Sequence, residues 1–239
     1  RVRSSAASDV YKRQVFFNKI MVIRMAEKYL DVALFPIPGM VCFPYCSVPL
    51  HVFEPRYRAM IEDSIKHERL IGVCNTIKQI SAAKKTDSLE DALRTNQSTY
   101  EPCKIYGVGR CKLVEKTSDG RIYVTIYCTN RVESVREIQT LPYTIMQCRE
   151  IPDSSVVNIE NLNIMKTNIL ELLKELISKQ YSKDKLNLKK WSDMQPHIFS
   201  FKIFQILKLD PEIMQGLLEI TNPEQRLIKV HGFLKKSVQ

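Results

Sequence analysis

Residues 34–61 read LFPIPGMVCFPYCSVPLHVFEPRYRAMI, and five of these 28 residues are proline. Proline fixes φ and has no N–H to donate, so this run fits neither a central strand nor a long helix. It reads as short extended pieces joined by rigid corners. Pro55 suits the first turn of a helix. Tyr57, Met60, Ile61 and Ile65 then recur at helical spacing, so a helix is expected to begin there. Pro44, Tyr45 and Val48 form the apolar centre of the corner, and His51, Glu54, Arg56 and Arg58 crowd its end.

Working outward, residues 31–150 read as β-rich. Val32–Phe35 and Leu70–Ile77 are apolar runs of strand length. Lys104–Val114 and Arg121–Tyr127 flank Ser118-Asp119-Gly120, a hairpin turn in which glycine tolerates positive φ. Ile122, Val124 and Ile126 alternate with Arg121, Tyr123, Thr125 and Tyr127, which gives one inner and one outer face. Arg131–Ile138 and Pro142–Arg149 supply two more strands. The polar stretch Lys78–Thr99 reads as a surface loop, and Gly107 and Gly109 mark a bulge or a close approach within a strand.

From residue 155 the pattern becomes helical. Leu162, Met165, Ile169, Leu172 and Leu176 place one amphipathic helix over Asn158–Lys179. Pro196–Leu209 is apolar except for a narrow stripe of Lys202, Gln205 and Lys208. Asp210-Pro211 and Asn222-Pro223 each place a cap and an N1 proline before a further helix. A four-helix C-terminal bundle is expected, with Trp191 as a packing anchor at its opening.

The order of these pieces is similar to the N-terminal domain of Lon protease, also called the Lon substrate-binding domain. That family begins LFPLP, continues through PLHIFEPRY and follows with R-x-M-[IV]. The matching residues are Phe35, Pro36, Pro38, Pro49, Leu50, His51, Phe53, Glu54, Pro55, Arg56, Tyr57 and Met60. A second signature, VGxVGRI followed by DGR and GxxRF, is matched by Gly107, Gly109, Arg110, Asp119, Gly120, Arg121 and Arg131. Residues 222–227, NPEQRL, resemble a DP-x-x-RL ending. Tyr45, Cys128 and Val132 depart from the pattern: the first two stand where the family often has glycine, the third where it often has phenylalanine. The resemblance implies an α+β fold in which a PUA-like β pseudo-barrel with one helix, residues 25–152, precedes a helical subdomain, residues 153–239.

Residues 1–24 are set apart. RVRSSAASDVYKRQ has no apolar period and reads as non-native or upstream sequence, with Met21 or Met25 as the natural start. This end holds six Lys/Arg and one Asp, half of the net charge of +10. The remaining 30 Lys/Arg against 25 Asp/Glu make a mildly basic chain, which permits nucleic acid or acidic partners without requiring them. No apolar run reaches membrane-spanning length. The seven cysteines are scattered, and they read as buried thiols of a cytoplasmic protein. Only Cys42 and Cys46 are closely spaced and no histidine lies at ligand spacing, so no metal is expected. No cofactor is expected either.

Catalytic signals are missing. None of the seven glycines precedes a lysine, so there is no G-x4-G-K-[ST] phosphate loop. The serine–lysine pair of Lon lies in a separate C-terminal module, which this sequence is not expected to contain. The leading expectation is therefore a non-catalytic module that binds unfolded polypeptide at an apolar groove or an open strand edge, alone or for a separate ATP-dependent protease. Its lining is expected from Pro44, Tyr45, Val48, Tyr57 and Arg58. Pro36, Pro49, His51, Phe53, Glu54, Pro55 and Arg56, with the residues of the second signature, are expected to be structural. Two alternatives remain. One is RNA binding through Lys183, Lys185, Lys189 and Lys190 or the Arg121/Tyr123/Tyr127 face. The other is a hydrolase using Cys46 and His51.

Overall fold

The computed structural model describes residues 29–82, 88, 91, 95–155, 158–179 and 188–238. Its sheet begins with β1 (Tyr29–Pro36) and β2 (Ser47–Val52), followed by helix α1 (Pro55–Lys66). Then come β3 (Leu70–Cys74), β4 (Thr76–Ser81), β5 (Thr99–Pro102), β6 (Ile105–Lys116), β7 (Ile122–Gln139) and β8 (Ile145–Glu150). The strand order is β2-β7-β6-β3-β1-β8, and β8 also pairs with β7. That last pairing closes β7, β6, β3, β1 and β8 into a ring, with β2 attached outside it. Among the described strands only β1 and β3 run parallel. This is the α+β arrangement expected.

One strand performs the closure. The two expected strands Arg121–Tyr127 and Arg131–Ile138 are a single 18-residue strand, β7. Its first half carries β2 and β6, and its second half carries β8. The register shifts between Val108 and Gly109, where Thr129 stands opposite no residue of β6. Such a bulge bends a strand and raises its twist, which turns a flat ladder into a ring. A Cβ on Gly109 would stand 1.9 Å from the Tyr127 carbonyl oxygen, so only glycine fits the bend.

The expected strand Leu70–Ile77 divides into β3 and β4, because β4 leaves the ring to pair with β5. Part of the expected loop Lys78–Thr99 is thus sheet. Ile122, Val124 and Ile126 are buried under α1, in one cluster with Phe35, Val52, Tyr57, Met60 and Ile61. β1 is buried on both faces, since Val32 and Leu34 join a second cluster with Tyr106 and Val108.

The helical half contains α2 (Ile159–Lys179), α3 (Leu188–Ser192), α4 (Pro196–Lys202), α5 (Pro211–Glu219) and α6 (Pro223–Val238). Among the described residues this half therefore holds five helices, not four. The helix expected over Pro196–Leu209 ends at Lys202 and tightens into a 3-10 turn, Ile203–Gln205. Its polar stripe faces the barrel: Lys202 Nζ donates to the Tyr45 carbonyl, and Gln205 Nε2 donates to Ser47 Oγ at 3.1 Å. Asn222 caps α6 by accepting from the amides of Glu224 and Gln225, whereas Asp210 makes no side-chain cap. Trp191 is buried edge-on against Phe199, as an anchor should be.

Two further contacts join the halves. Phe43 of the proline corner stacks on Phe204 with ring centroids 3.9 Å apart. Arg131 of β7 and Arg226 of α6, 2% and 0% exposed, share the single carboxylate of Asp153. Arg131 also donates to the carbonyls of Leu218, Ile220 and Ile151. The Phe201 ring lies 3.5 Å from the Arg226 guanidinium carbon and 5.3 Å from that of Arg131. Burial pulls Arg226 down to about 10 and pushes Asp153 up against the pull of both guanidiniums.

The thiol expectation is corrected at one pair. Cys42 and Cys128 form a disulfide between the proline corner and β7. The corner is pressed against the sheet here, as the Cys42 carbonyl oxygen lies 2.2 Å from where a Cβ on Gly107 would stand. Cys46, Cys74 and Cys148 are buried free thiols, and Cys103 and Cys111 are half-buried ones.

Candidate functional site

The proline corner has two sides. Its bundle side holds Phe43, Tyr45 and Cys46. Tyr45 adopts φ +64, the left-handed region that favours glycine, which explains why the resembling family often has glycine here. Its amide donates to the Cys128 carbonyl, and its ring lies 6.4 Å from Phe201. Pro44 and Tyr45, expected to line the groove, lie on this side, where Tyr45 stays 42% exposed, and Val48 packs against the core under α1; none of the three lines either cleft.

The other side opens. A cleft of about 340 Å³ is bounded by Phe35–Pro38, by His51–Glu54, and by Arg56 and Tyr57. A second cleft of about 450 Å³ continues past Arg56 and Tyr57 to Ile80, Leu141, Pro142 and Met146. Both clefts share Pro36, Arg56, Tyr57 and Tyr100. Ile80 and Leu141 are among the most exposed large apolar side chains of the described residues. Tyr57 forms the floor, stacked on Phe35 at 4.3 Å, with burial pushing its hydroxyl up to about 12. It therefore stays a neutral donor at physiological pH.

The wall between the clefts is a strap, residues 95–99, held by the H-x-F-E-P-R cluster. The Gln97 amide donates to Glu54 Oε2 at 3.0 Å. Arg56 pairs with the same carboxylate at 2.9 Å and donates to the Ser98 carbonyl at 2.9 Å and to Thr99 Oγ1 at 3.3 Å. The Arg56 amide donates to Asn96 Oδ1 at 3.2 Å, and Gln79 Nε2 reaches Ser98 Oγ at 3.2 Å. Glu54 and Arg56 were expected to fix a corner. They do so by gripping a strap that the sequence offered no means of pairing with them, because 40 to 43 residues separate the partners.

The remaining residues of the first signature sit in or beside β2 and at the start of α1. Pro49 lies in β2, yet the ladder with β7 runs unbroken from Ser47 to Val52. Its missing N–H therefore faces the free edge of β2. A strand docking on that edge would lack its central donor, so an open edge is a poor receptor and the clefts a better one. Pro55 starts α1 at N1. Phe53 and His51 flank the first cleft, and His51 stacks on Tyr123 at 4.5 Å.

Arg58 points away from the clefts and donates to the Gly120 carbonyl in the hairpin turn, where Gly120 has φ +88. Asp119 of that turn is held far below the ordinary carboxylate range by hydrogen bonds from Arg121 and Thr117. Arg110 pairs with Glu68 on the surface.

The residues of the alternatives are dispersed. Cys46 is buried against the helices, where its thiol donates to the Phe201 carbonyl at 3.5 Å and burial pushes it up to about 11. His51 is on the outer face of β2 against Tyr123, so the structure does not bring the two together. On the Arg121/Tyr123/Tyr127 face, Arg121 is paired with Asp119. Lys189 and Lys190 lie on α3, while Lys183 and Lys185 fall outside the described residues, as do residues 1–24. No group of His, Cys, Asp and Glu suited to a metal occurs among the described residues. No described helix is long and apolar enough to cross a membrane.

A closed β ring with a helical half and an apolar two-cleft groove defines a binding domain. Comparison with known proteins places it. The profile of the ATP-dependent protease La (LON) substrate-binding domain matches residues 31–236, and the chain belongs to that family. It is 23% identical over 215 residues to Lon protease 1 of Herpetosiphon aurantiacus, covering 87% of this chain and 24% of that protein. It is 24% identical over 230 residues to the Lon protease of Halothermothrix orenii, covering 92% and 26%. The chain thus spans about a quarter of the length of these relatives.

Among solved structures, it resembles the N-terminal domain of Mycobacterium avium complex Lon protease, with TM-score 0.61, 11% identity, and 86% and 98% of the two chains covered. The Lon N-terminal domain protein from Xanthomonas campestris gives TM-score 0.54 and 16% identity, with 85% and 98% covered. These likenesses establish the fold.

Proposed function

We propose that this domain binds unfolded polypeptide in the groove beside α1 and performs no chemistry on it. The observation that carries this reading is the pair of apolar clefts meeting at Tyr57. An extended chain could place one apolar side chain in each. Pockets whose surface is mainly apolar take many sequences, because burial is rewarded by area and not by a particular hydrogen-bond pattern. The nucleophiles argue against turnover, since Cys46 is buried, neutral at physiological pH and away from His51. The partner class that follows is unfolded or partly folded protein, held for release or handed to a separate ATP-dependent protease in the cytoplasm.

The test is fluorescence anisotropy with a fluorescein-labelled protein that has been reduced and alkylated so that it stays unfolded, and with its native form as control. Saturable binding of the unfolded form alone is expected. Equal binding of both forms, or none, removes the reading. Replacing Tyr57 by Ala, with folding checked by circular dichroism, should weaken binding about tenfold or more, as loss of a central aromatic anchor does.

A further inference from the structure

The shared wall of the two clefts suggests what decides access to them. We propose that residues 95–99 form a gate, latched by Glu54 and Arg56, and that its opening joins the two clefts into one groove for an extended chain. This inference rests on the polypeptide-binding reading and adds how that site selects its ligand.

The gate is held by polar contacts. Gln97 meets Glu54, and Ser98 and Thr99 meet Arg56. Asn96 accepts from the Arg56 amide, and Gln79 supplies one exposed bond to Ser98. Hydrogen bonds to charged groups are among the stronger ones, yet water and salt can replace them at a site that is not fully buried. The side chains of Arg56 and Glu54 are only 15% and 13% exposed, but both line the first cleft, which brings solvent to the latch. The strap residues themselves are half-buried or exposed, and residues 95–98 belong to no strand or helix. Regions with few apolar contacts and exposed polar tethers open at the least cost in free energy.

Closed, the latch divides the groove into two pockets that meet at Pro36, Arg56, Tyr57 and Tyr100, each large enough for a side chain and its neighbours. Open, it offers a continuous apolar channel floored by Phe35 and Tyr57. A ligand that occupies both pockets must lie across the position now taken by the strap contacts. Only a chain free of its own tertiary structure can be laid in that way. A folded protein presents single side chains, which the closed state can admit to one cleft at most. Selection for unfolded chains thus follows from the geometry of the wall, without recognition of sequence.

A ligand that binds the open state competes with the latch, and its apparent affinity is reduced by the fraction of molecules that are open. Weakening the latch should therefore tighten binding. Glu54→Ala removes the acceptor of Gln97 and the counter-charge of Arg56, and Thr99→Val removes a weaker contact. The probe is the same reduced, alkylated and labelled protein, measured by anisotropy with the full chain. Glu54→Ala should lower the apparent Kd about tenfold, and Thr99→Val by a smaller factor in the same direction. A role confined to supporting the corner predicts the reverse, weaker binding in both variants.

Amide hydrogen exchange at Gln97 gives a second readout that does not require the variants to bind. It should quicken in Glu54→Ala, and should also quicken in the wild-type protein on adding the probe. Unchanged or weaker binding by both variants, or slower exchange at Gln97 on adding probe to the wild type, overturns the gate. Failure of the wild-type protein to bind the probe at all is a different result, and it removes the function on which the gate rests.

Discussion

Two arginine–carboxylate devices hold this molecule together, and they differ in exposure and in stoichiometry. At the joint between barrel and helices, two guanidiniums with 1% and 0% of their side chains exposed grip one carboxylate and the carbonyls of Leu218, Ile220 and Ile151. At the groove, one guanidinium with 15% exposure grips one carboxylate and the carbonyl of Ser98. The design is similar, since each arginine ties down chain that the ladder of the ring does not reach. The energetics are not. A guanidinium wholly removed from water cannot lose its partner without a large penalty, whereas one at the rim of a groove can exchange a partner for water. The carboxylates do not separate the devices, since Asp153 is 19% exposed and Glu54 13%. The device with two buried arginines is suited to fix two halves permanently, and the one at the groove to let go.

The largest expected effect breaks the buried member of the comparison. Asp153→Ala strands two buried guanidiniums and should cost about 3–5 kcal/mol in a urea-unfolding measurement. Glu54→Ala, measured in the same way, should cost no more than about 1–2 kcal/mol. Equal losses would erase the distinction drawn here.

A smaller effect sharpens the view of the corner lying between the two devices. Tyr45 holds φ +64. Glycine at this position relieves the left-handed conformation and loses the Phe201 contact, whereas alanine loses the contact and keeps the strain. Tyr45→Ala should therefore be less stable than Tyr45→Gly by about 1 kcal/mol.

The smallest effect concerns Cys46 on the same side of the corner. Burial raises its pKa from 9.0 to about 11. A raised folded value means that the neutral thiol favours the fold below pH 9.0, and that this contribution is lost as pH rises through about 11. Iodoacetamide at pH 8 should leave Cys46 unlabelled in the native protein while labelling it in urea, as mass spectrometry of the digested protein will show. Rapid native labelling would revive a nucleophilic role for this residue.

Much of the architecture was legible in local chemistry. The alternation Ile122, Val124, Ile126 announced a strand with one buried face, and Asn222-Pro223 announced a capped helix. The glycine hairpin at Gly120 and the bulge at Gly109 were readable because each needs a backbone geometry or closeness that side chains forbid. The lining of the clefts was less legible. Tyr45 is 42% exposed and stands beside Phe201, and of Pro44, Tyr45, Val48, Tyr57 and Arg58 only Tyr57 meets the clefts. The strap was missed altogether, since Asn96, Gln97 and Ser98 carry no periodicity. The one available signal was Glu54 itself, a carboxylate after an apolar strand with no local helical cap to make.

The sequence by itself determined the family and the positions of most strands and helices, because propensity, period and turn chemistry act over a few residues. The tertiary structure alone decided that β7 closes the ring, that Arg131 and Arg226 meet on Asp153, and that Glu54 and Arg56 hold a distant strap. Those contacts join groups tens of residues apart in the chain. Their energy comes from burial and charge pairing, which exist only once the chain has brought those groups together.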